Sequence, residues 1–293
     1  MKGILNASKI KVILLSLNYN QKGVNKVEIL TQKIKQVISG EIQIPYNRGE
    51  YNSVNDYWYP HPPALFPLFL GSGAFYYGII NHFFINRQKT FVEYSLETGY
   101  ISERYRNSDQ FLTKLLLEMI MLKEEITDEI VDFAEKIDYK NVSDIYAFAE
   151  KYGDNPEEFK HLIFFESDLP LFYAKSLEEY KGDYPSSSKI LNVKQIHNSC
   201  SFEIADPSHL KEIQNLPKWL IGENPQKELF DELLKQNDIK GAWLTLNSKG
   251  WQLEDVAIAL AKLKFKTNDK LFHLVADNWI DGWANSNFKE DSY

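Results

Sequence analysis

Residues 74–104, AFYYGIINHFFINRQKTFVEYSLETGYISER, decide the fold class of this chain. Three runs within them are rich in aromatic and β-branched residues: 74–85, 90–96 and 100–104. Each run predicts a strand, because such side chains pack well on a pleated surface. The polar breaks at residues 86–89 and 97–99 have the lengths of hairpin connections. The stretch therefore predicts an antiparallel meander.

Helical periodicity lies on both sides of this meander. Apolar residues recur at three- and four-residue steps over residues 24–38, and a glycine follows as it does at many helix ends. Residues 110–122 carry a broad apolar face after a capping segment at 107–109. Beyond residue 123 the pattern is helical to about residue 185, and three or four more helices follow after residue 224. The prediction is an α+β fold, with an antiparallel sheet and flanking helices in the N-terminal half and a mostly helical C-terminal half.

The length of 293 residues suits one large domain or two of ordinary size. We predict a boundary that separates an α+β domain over residues 1–122 from a mainly helical domain over residues 123–293. The segment DYPSSS at 183–188 indicates a loop or linker within the second domain. Residues 189–204 contain a short apolar and polar pattern that is compatible with paired strands.

The charge is concentrated in one part of the sequence. The chain has a formal net charge of −8, and residues 118–183 hold 18 acidic side chains against 7 lysines, for a local charge of −11. Such a field repels phosphate backbones and attracts basic groups, so nucleic acid is not an expected partner. The segment is either a solvated acidic surface or a face for a basic protein partner.

Composition places the chain among soluble globular proteins. A single cysteine, Cys200, excludes an intramolecular disulfide framework and fits a reducing compartment, so we expect a cytoplasmic location. Residues 57–86 contain no charged side chain, but four prolines and three glycines interrupt them. Prolines and glycines interrupt a helix and leave backbone N–H and C=O groups unpaired, and lipid offers these groups no hydrogen bonds. We therefore expect a buried core segment here and no membrane span.

One short motif resembles a known family. Pro62 and Pro63 are followed by Leu65, Leu68 and then Gly71-Ser72-Gly73, a pattern that predicts a short helix over residues 62–70 with strands and a further helix behind it. Over about residues 24–122 this arrangement is similar to the SUKH superfamily. That group contains bacterial polymorphic-toxin immunity proteins and a fungal regulator of cell-wall synthesis. The resemblance implies an α+β binding domain without catalysis, whose partner is usually another protein.

The residues with side chains suited to catalysis or metal binding form no recognised motif. His197 and Cys200, followed by Asp206 and His209, have ligand-type side chains, but zinc normally requires a second ligand pair that the sequence lacks. A partly buried thiol beside loop histidines is the simpler interpretation, and a Cys–His nucleophile pair is the alternative. No phosphate-binding glycine loop, GxSxG or HExxH occurs. We therefore expect no catalytic residues, no metal and no cofactor.

Two groups of residues are candidates for partner binding. Tyr57, Trp58 and Tyr59 lie next to Pro60 in an expected loop, and aromatic side chains with a polar tip are common interface anchors. The second group is acidic and occurs in adjacent pairs within the charged segment: Glu124, Glu125, Asp128 and Glu129. A solvated helix face is the simpler explanation of these carboxylates.

The leading functional hypothesis is a cytoplasmic bacterial protein that binds another protein, most concretely as an immunity-type inhibitor of a basic toxin. Charge complementarity between the acidic segment and the toxin would provide recognition. The first alternative is an enzyme whose site is assembled from residues distant in sequence, such as those around His197 and Cys200. The second alternative is a scaffold or adaptor whose helical half stacks onto a larger assembly. The sequence does not fix the oligomeric state.

Overall fold

An antiparallel sheet forms the centre of the computed structural model, which describes residues 30–54, 57–174, 179–182, 217–221 and 225–293. Its strands, each paired with the next, are β1 (Asn52–Ser53), β2 (Leu65–Gly71), β3 (Phe75–Ile80), β4 (Thr90–Ser95) and β5 (Ile101–Tyr105). The predicted meander is therefore confirmed. Gly99 has a φ of 72°, which suits glycine, and its N–H donates to the Ser95 carbonyl to close the turn between β4 and β5.

The short helix predicted over residues 62–70 is wrong, because most of this stretch is strand β2. Pairing with β3 decides the conformation, and Leu65 lies opposite Ile80 while Gly71 lies opposite Phe75. Pro67 is tolerated inside the strand because the pairing register shifts between Pro67 and Phe69. A proline at such an irregularity does not have to donate a ladder hydrogen bond.

The strand predicted over residues 74–85 ends earlier than expected, at Ile80. The next residues leave the sheet, and the rings of Phe83 and Phe84 pack against Trp243 and Phe272. Aromatic burial against the C-terminal helices therefore replaces strand pairing at this point.

The helices form two groups, and the sheet strands lie within the sequence range of the first group. The first group comprises α1 (Gln32–Ser39), α2 (Ser108–Lys123), α3 (Asp128–Lys136), α4 (Val142–Tyr152) and two 3₁₀ helices (Pro156–His161 and Leu171–Tyr173). The second group comprises α5 (Lys218–Ile221), α6 (Gln226–Lys235), α7 (Ile239–Leu246), α8 (Leu253–Lys264) and α9 (Lys270–Ala284). The α+β class is thus confirmed, with the sheet in the N-terminal half and mostly helices in the C-terminal half.

Side chains from the sheet enter two different hydrophobic clusters. Ile79 and Phe91 belong to a cluster with α1 to α4, whereas Tyr76 and Val92 belong to a cluster with α6 to α9. Neighbouring residues of a strand point to opposite faces, so the sheet lies between the two helical groups. This arrangement leaves the solvent-facing sides of the helices available as surface.

The clusters also relate to the expected domain organisation. The first cluster contains residues from both sides of position 122, such as Leu116 and Phe133. The boundary between residues 122 and 123 stays a prediction. The expected linker at 183–188 and the expected strands at 189–204 lie outside the described residues.

Candidate protein-binding surface

The four carboxylates predicted to bind a partner lie within residues 124–129, which comprise the connection after α2 and the start of α3 and which we call the acidic turn. Glu124 ends α2 with a φ of 60°, and its backbone N–H donates to the Ile120 carbonyl at 2.7 Å. Glycine or asparagine usually fills this left-handed position. The chain therefore holds an exposed carboxylate at a place where the backbone would favour another residue.

The far end of the acidic turn is fixed by the start of α3. Thr127 caps this helix by accepting from the Ile130 N–H, and Asp128 and Glu129 occupy its first turn. Acidic residues are favoured there by the helix dipole. Burial of Ile130 and Phe133 in the first cluster turns Asp128 and Glu129 outward, so both side chains are exposed.

Tyr46 connects the acidic turn to a loop from a distant part of the chain. Its hydroxyl donates to Glu129 at 2.8 Å and lies 2.9 Å from the Thr127 hydroxyl. The Lys123 ammonium lies 4.0 Å from the centre of the Tyr46 ring, a cation–π distance. The hydrogen bond from Tyr46 lowers the pKa of Glu129, with smaller contributions from its own backbone N–H and from Thr127. Glu129 is thereby held in its charged form.

The loop that carries Tyr46 and helix α2 enclose a cleft of about 400 Å³. Its charged lining residues are Arg48, Glu50, Lys114, Glu118 and Asp154. Its apolar lining residues are Ile44, Pro45, Leu115, Met119, Met121 and Leu122. Because Tyr46 lines the cleft and also bonds to Glu129, the cleft and the acidic turn form one continuous surface.

Two carboxylates of the cleft already have partners. The Tyr51 hydroxyl donates to Glu118 at 2.6 Å, and the Lys114 ammonium lies 3.0 Å from the other Glu118 oxygen. Burial raises the pKa of Tyr51 well above its ordinary value, and the charge of Glu118 adds to the effect. Ser72 donates to Glu50. Asp154, by contrast, is exposed at the edge of the cleft.

Exposed apolar side chains accompany the acidic turn. Met121 is 36% exposed and Val131 is 41% exposed, one on each side of the turn. Large apolar side chains of this exposure are few among the described residues, and the others are Tyr57, Ile258 and Phe265. An apolar centre bordered by charged groups is the usual anatomy of a protein–protein interface.

Of the aromatic candidates Tyr57, Trp58 and Tyr59, the last two pack against the second cluster, and Trp58 lies beside α9. Tyr57 is 51% exposed and stacks on Tyr59 at a centroid distance of 6.4 Å. Trp58 is only partly exposed and packs edge-to-face on Trp279 at 5.4 Å. Its indole occupies the place that a side chain at Gly282 would need. Trp58 thus packs the segment that precedes β2 against α9.

A small cavity of about 60 Å³ lies beneath this aromatic segment, with Tyr57, Trp58, His61 and Trp279 in its wall. Tyr59 is held in place because its N–H donates to the Tyr76 hydroxyl at 2.8 Å and its ring packs on Phe288. Trp58 and Tyr59 pack against the second cluster, whereas Ile126 of the acidic turn packs against the first, so the structure does not bring the two predicted groups into one site.

A buried carboxylate that the sequence did not single out lies at the edge of the sheet. Glu103 of β5 accepts from the Leu171 N–H and from the Tyr180 hydroxyl, each at 3.0 Å, and lies 3.8 Å from Arg106. Burial raises the pKa of Glu103 to about 7, although Arg106 and these donors act in the opposite direction. The group ties the segment around Leu171 to β5, and it lines neither the cleft nor the small cavity.

Two further expectations concern metals and membranes. Among the described residues, no group of three or more His, Cys, Asp or Glu is arranged to hold a metal ion. His197, Cys200, Asp206 and His209 lie outside those residues. Within the same part of the chain, no helix combines the length and the apolar composition needed to cross a bilayer.

Comparison of the chain with protein-family models, with curated proteins and with solved structures found no match. The features of this chain that can indicate its function are therefore the geometry and charge of the acidic turn and the cleft.

Proposed function

We propose that this protein is a non-catalytic binding protein, and specifically an immunity-type inhibitor that recognises a basic toxin through the acidic turn. The observation that carries the proposal is the exposure of Glu124, Glu125, Asp128 and Glu129 on one connection beside the cleft. The protein would cover the active site or substrate groove of the toxin and perform no chemistry itself. The cellular site of this action would be the cytoplasm of a bacterium.

The electrostatics of the turn support an attractive encounter with a basic surface. No lysine or arginine in the described part of the chain forms an ion pair with Glu124, Glu125 or Asp128. These charges are therefore available to a partner, and complementary charge raises the rate of association.

Apolar contact at the same place supports a stable complex. Charge at the rim of an interface changes association rates more than affinity, whereas buried apolar anchors contribute most of the binding energy. Met121 and Val131 are exposed beside the turn and can provide such contact. The resemblance of the N-terminal part to the SUKH superfamily, which includes toxin immunity proteins, is consistent with this kind of partner.

The test is affinity capture from the native lysate at low and at high salt with three forms of the tagged protein. One form is wild type and the second carries lysine at positions 124, 125, 128 and 129. The third is a matched control with lysine in place of four exposed acids elsewhere: Glu228, Glu254, Asp281 and Glu290. Glu228 and Glu254 lie in the first turns of α6 and α8, so the control reproduces the helix-terminal charge change at Asp128 and Glu129.

We expect wild type and the control to retain the same basic protein at low salt. The variant with lysine at positions 124, 125, 128 and 129 should lose it. The purified partner should then lose its own activity when wild-type protein is added. A second pair of variants tests the apolar contact, because Val131 and Ile258 are both 41% exposed. Val131→Gln should weaken the complex about fivefold to tenfold, and Ile258→Gln should leave it unchanged. If the variant with lysine at positions 124, 125, 128 and 129 captured as much of the basic protein as wild type does, the proposal would be contradicted.

A further inference from the structure

We propose that the cleft receives a lysine or arginine side chain from an extended segment of the partner; this inference rests on the proposed function. The acidic turn would then recognise the charge of the partner, and the cleft would hold one specific anchor residue.

The lining provides both surfaces that a long basic side chain needs. The methylene part of lysine or arginine packs on apolar groups while the charged end remains near polar ones. Met119, Met121 and Leu122 form an apolar wall, and Asp154 and Glu50 lie in the same lining. Methionine side chains adapt their shape to a bound group, which suits a pocket for a flexible chain.

The charge around the cleft favours a cation over an anion. Of the two basic lining residues, Lys114 is paired with Glu118, so its charge is neutralised inside the cleft. Arg48 is exposed, and the lining also contains Glu50 and Asp154, so the cleft has one more acidic than basic side chain. The acidic turn adds its four carboxylates at the side where Tyr46 bonds to Glu129.

Tyr46, which lines the cleft, already binds a cation from outside the lining of the cleft. The ammonium of Lys123 lies 4.0 Å from the centre of the Tyr46 ring, while the hydroxyl of Tyr46 is engaged with Glu129. Tyr46 is held in this position with a φ of 59°, a conformation that a bulky residue rarely adopts. The aromatic ring and the carboxylates thus form a cation-binding wall that is fixed before a partner arrives.

The methionine content of the chain offers a direct test. The chain has three methionines, and two of them, Met119 and Met121, line the cleft. In protein labelled with ¹³C at the methionine methyl groups, the signals of Met119 and Met121 report the cleft. Met119→Leu and Met121→Leu variants assign the two cleft signals. The probe is an acetylated and amidated trilysine peptide, and its matched control is the same peptide with acetylated side-chain amines.

We expect trilysine to shift the Met119 and Met121 signals saturably. The acetylated peptide keeps the methylene chains but lacks the charges, so its affinity should be at least tenfold lower. Asp154→Asn with Glu50→Gln should reduce the trilysine affinity severalfold, and Glu254→Gln should not. Unmoved cleft signals, equal shifts with the acetylated peptide, or an unchanged affinity in the double variant would overturn the inference.

The two proposals fail in different ways. If trilysine shifts the cleft signals but the acidic turn captures no basic protein, the cleft inference holds and the proposed function fails. If a basic protein is captured but neither it nor trilysine moves the Met119 and Met121 signals, the proposed function holds and the cleft inference is overturned.

Discussion

The Tyr46 hydroxyl donates a hydrogen bond to Glu129 across 2.8 Å, although 83 positions separate the two residues in the chain. This contact joins the loop that precedes the sheet to the first turn of α3. It places the cleft next to the acidic turn and makes a binding surface from two segments that are distant in sequence.

Replacing Tyr46 by phenylalanine tests this relationship. Because the hydroxyl hydrogen bond is the largest cause of the lowered pKa of Glu129, Tyr46→Phe should raise that pKa toward its ordinary value. A carboxyl with a lowered folded-state pKa stabilises the protein above the unfolded-state pKa, and that contribution is lost as the pH falls. The substitution should therefore lessen the contribution of Glu129. Carboxyl ¹³C NMR titration measures the shift, with the exposed Tyr57→Phe as control. An unchanged pKa would show that the contact does not form.

A substitution at Glu124 tests whether this residue of the acidic turn lowers the stability of the protein while it contributes to binding. Its backbone is left-handed, so Glu124→Gly should raise the free energy of unfolding by about 0.5–1 kcal/mol. The same substitution removes a carboxylate that we propose to face the partner, so affinity should fall. Glu125→Gly is the matched control, because it removes the adjacent charge without relieving a left-handed backbone. Chemical denaturation and binding assays measure the two effects. A loss of stability in Glu124→Gly would contradict this explanation.

Gly282 tests the structural role of Trp58. An alanine in a helix normally stabilises it relative to glycine by about 0.5–1 kcal/mol. Here the added methyl group would overlap with the indole of Trp58, and such overpacking costs about 1–3 kcal/mol. Gly282→Ala should therefore be destabilising in chemical denaturation. A smaller side chain in Trp58→Leu should reduce the cost of Gly282→Ala when the two are combined. Stabilisation by Gly282→Ala alone would show that Trp58 does not pack on α9.

Glu103 gives a prediction for the pH dependence of stability. Burial raises its folded-state pKa to about 7, which is above the value of about 4.3 for an unfolded glutamate. The folded state therefore binds more protons than the unfolded state between these pH values, and stability falls as the pH rises through that range. Glu103→Gln cannot titrate, so the difference in unfolding free energy between variant and wild type should change between about pH 4 and pH 7 and level off above it. A constant difference across this range would contradict the assignment.

The fold was largely predictable where local pattern and tertiary pairing agree. The runs at residues 90–96 and 100–104 are strands β4 and β5 within one residue at each end, because their aromatic and β-branched side chains suit the pairing they find. Residues 62–70 misled the prediction, since the prolines resemble a helix start while the conformation is set by pairing with β3. Such pairing depends on a partner strand and is invisible in the local pattern.

The candidate site was predictable only in part for a related reason. Paired acidic residues in a strongly charged segment indicated the acidic turn. The helical pattern of apolar residues also predicted that these carboxylates face solvent. Tyr46 was not predictable from the sequence, because its partner Glu129 is brought near by the packing of α1 and α3 in one cluster. The loop residues around Tyr46, with a proline before and Asn47 after it, indicate a turn but not its neighbour. Trp58 and Tyr59, which the sequence indicates as exposed aromatic residues, are partly exposed and also pack against the C-terminal part of the chain, and their role in partner binding stays a prediction.

The central claim is that the acidic turn attracts a basic protein, and its most direct test is the rate of association with the captured partner at several salt concentrations. Charge steering raises association rates and makes them fall with salt. We predict that wild type and the control with lysines at 228, 254, 281 and 290 associate fast at low salt and slow down steeply as salt increases. The variant with lysines at 124, 125, 128 and 129 should associate at least tenfold more slowly at low salt and depend little on salt. Identical rates and salt dependences for all three proteins would contradict the claim.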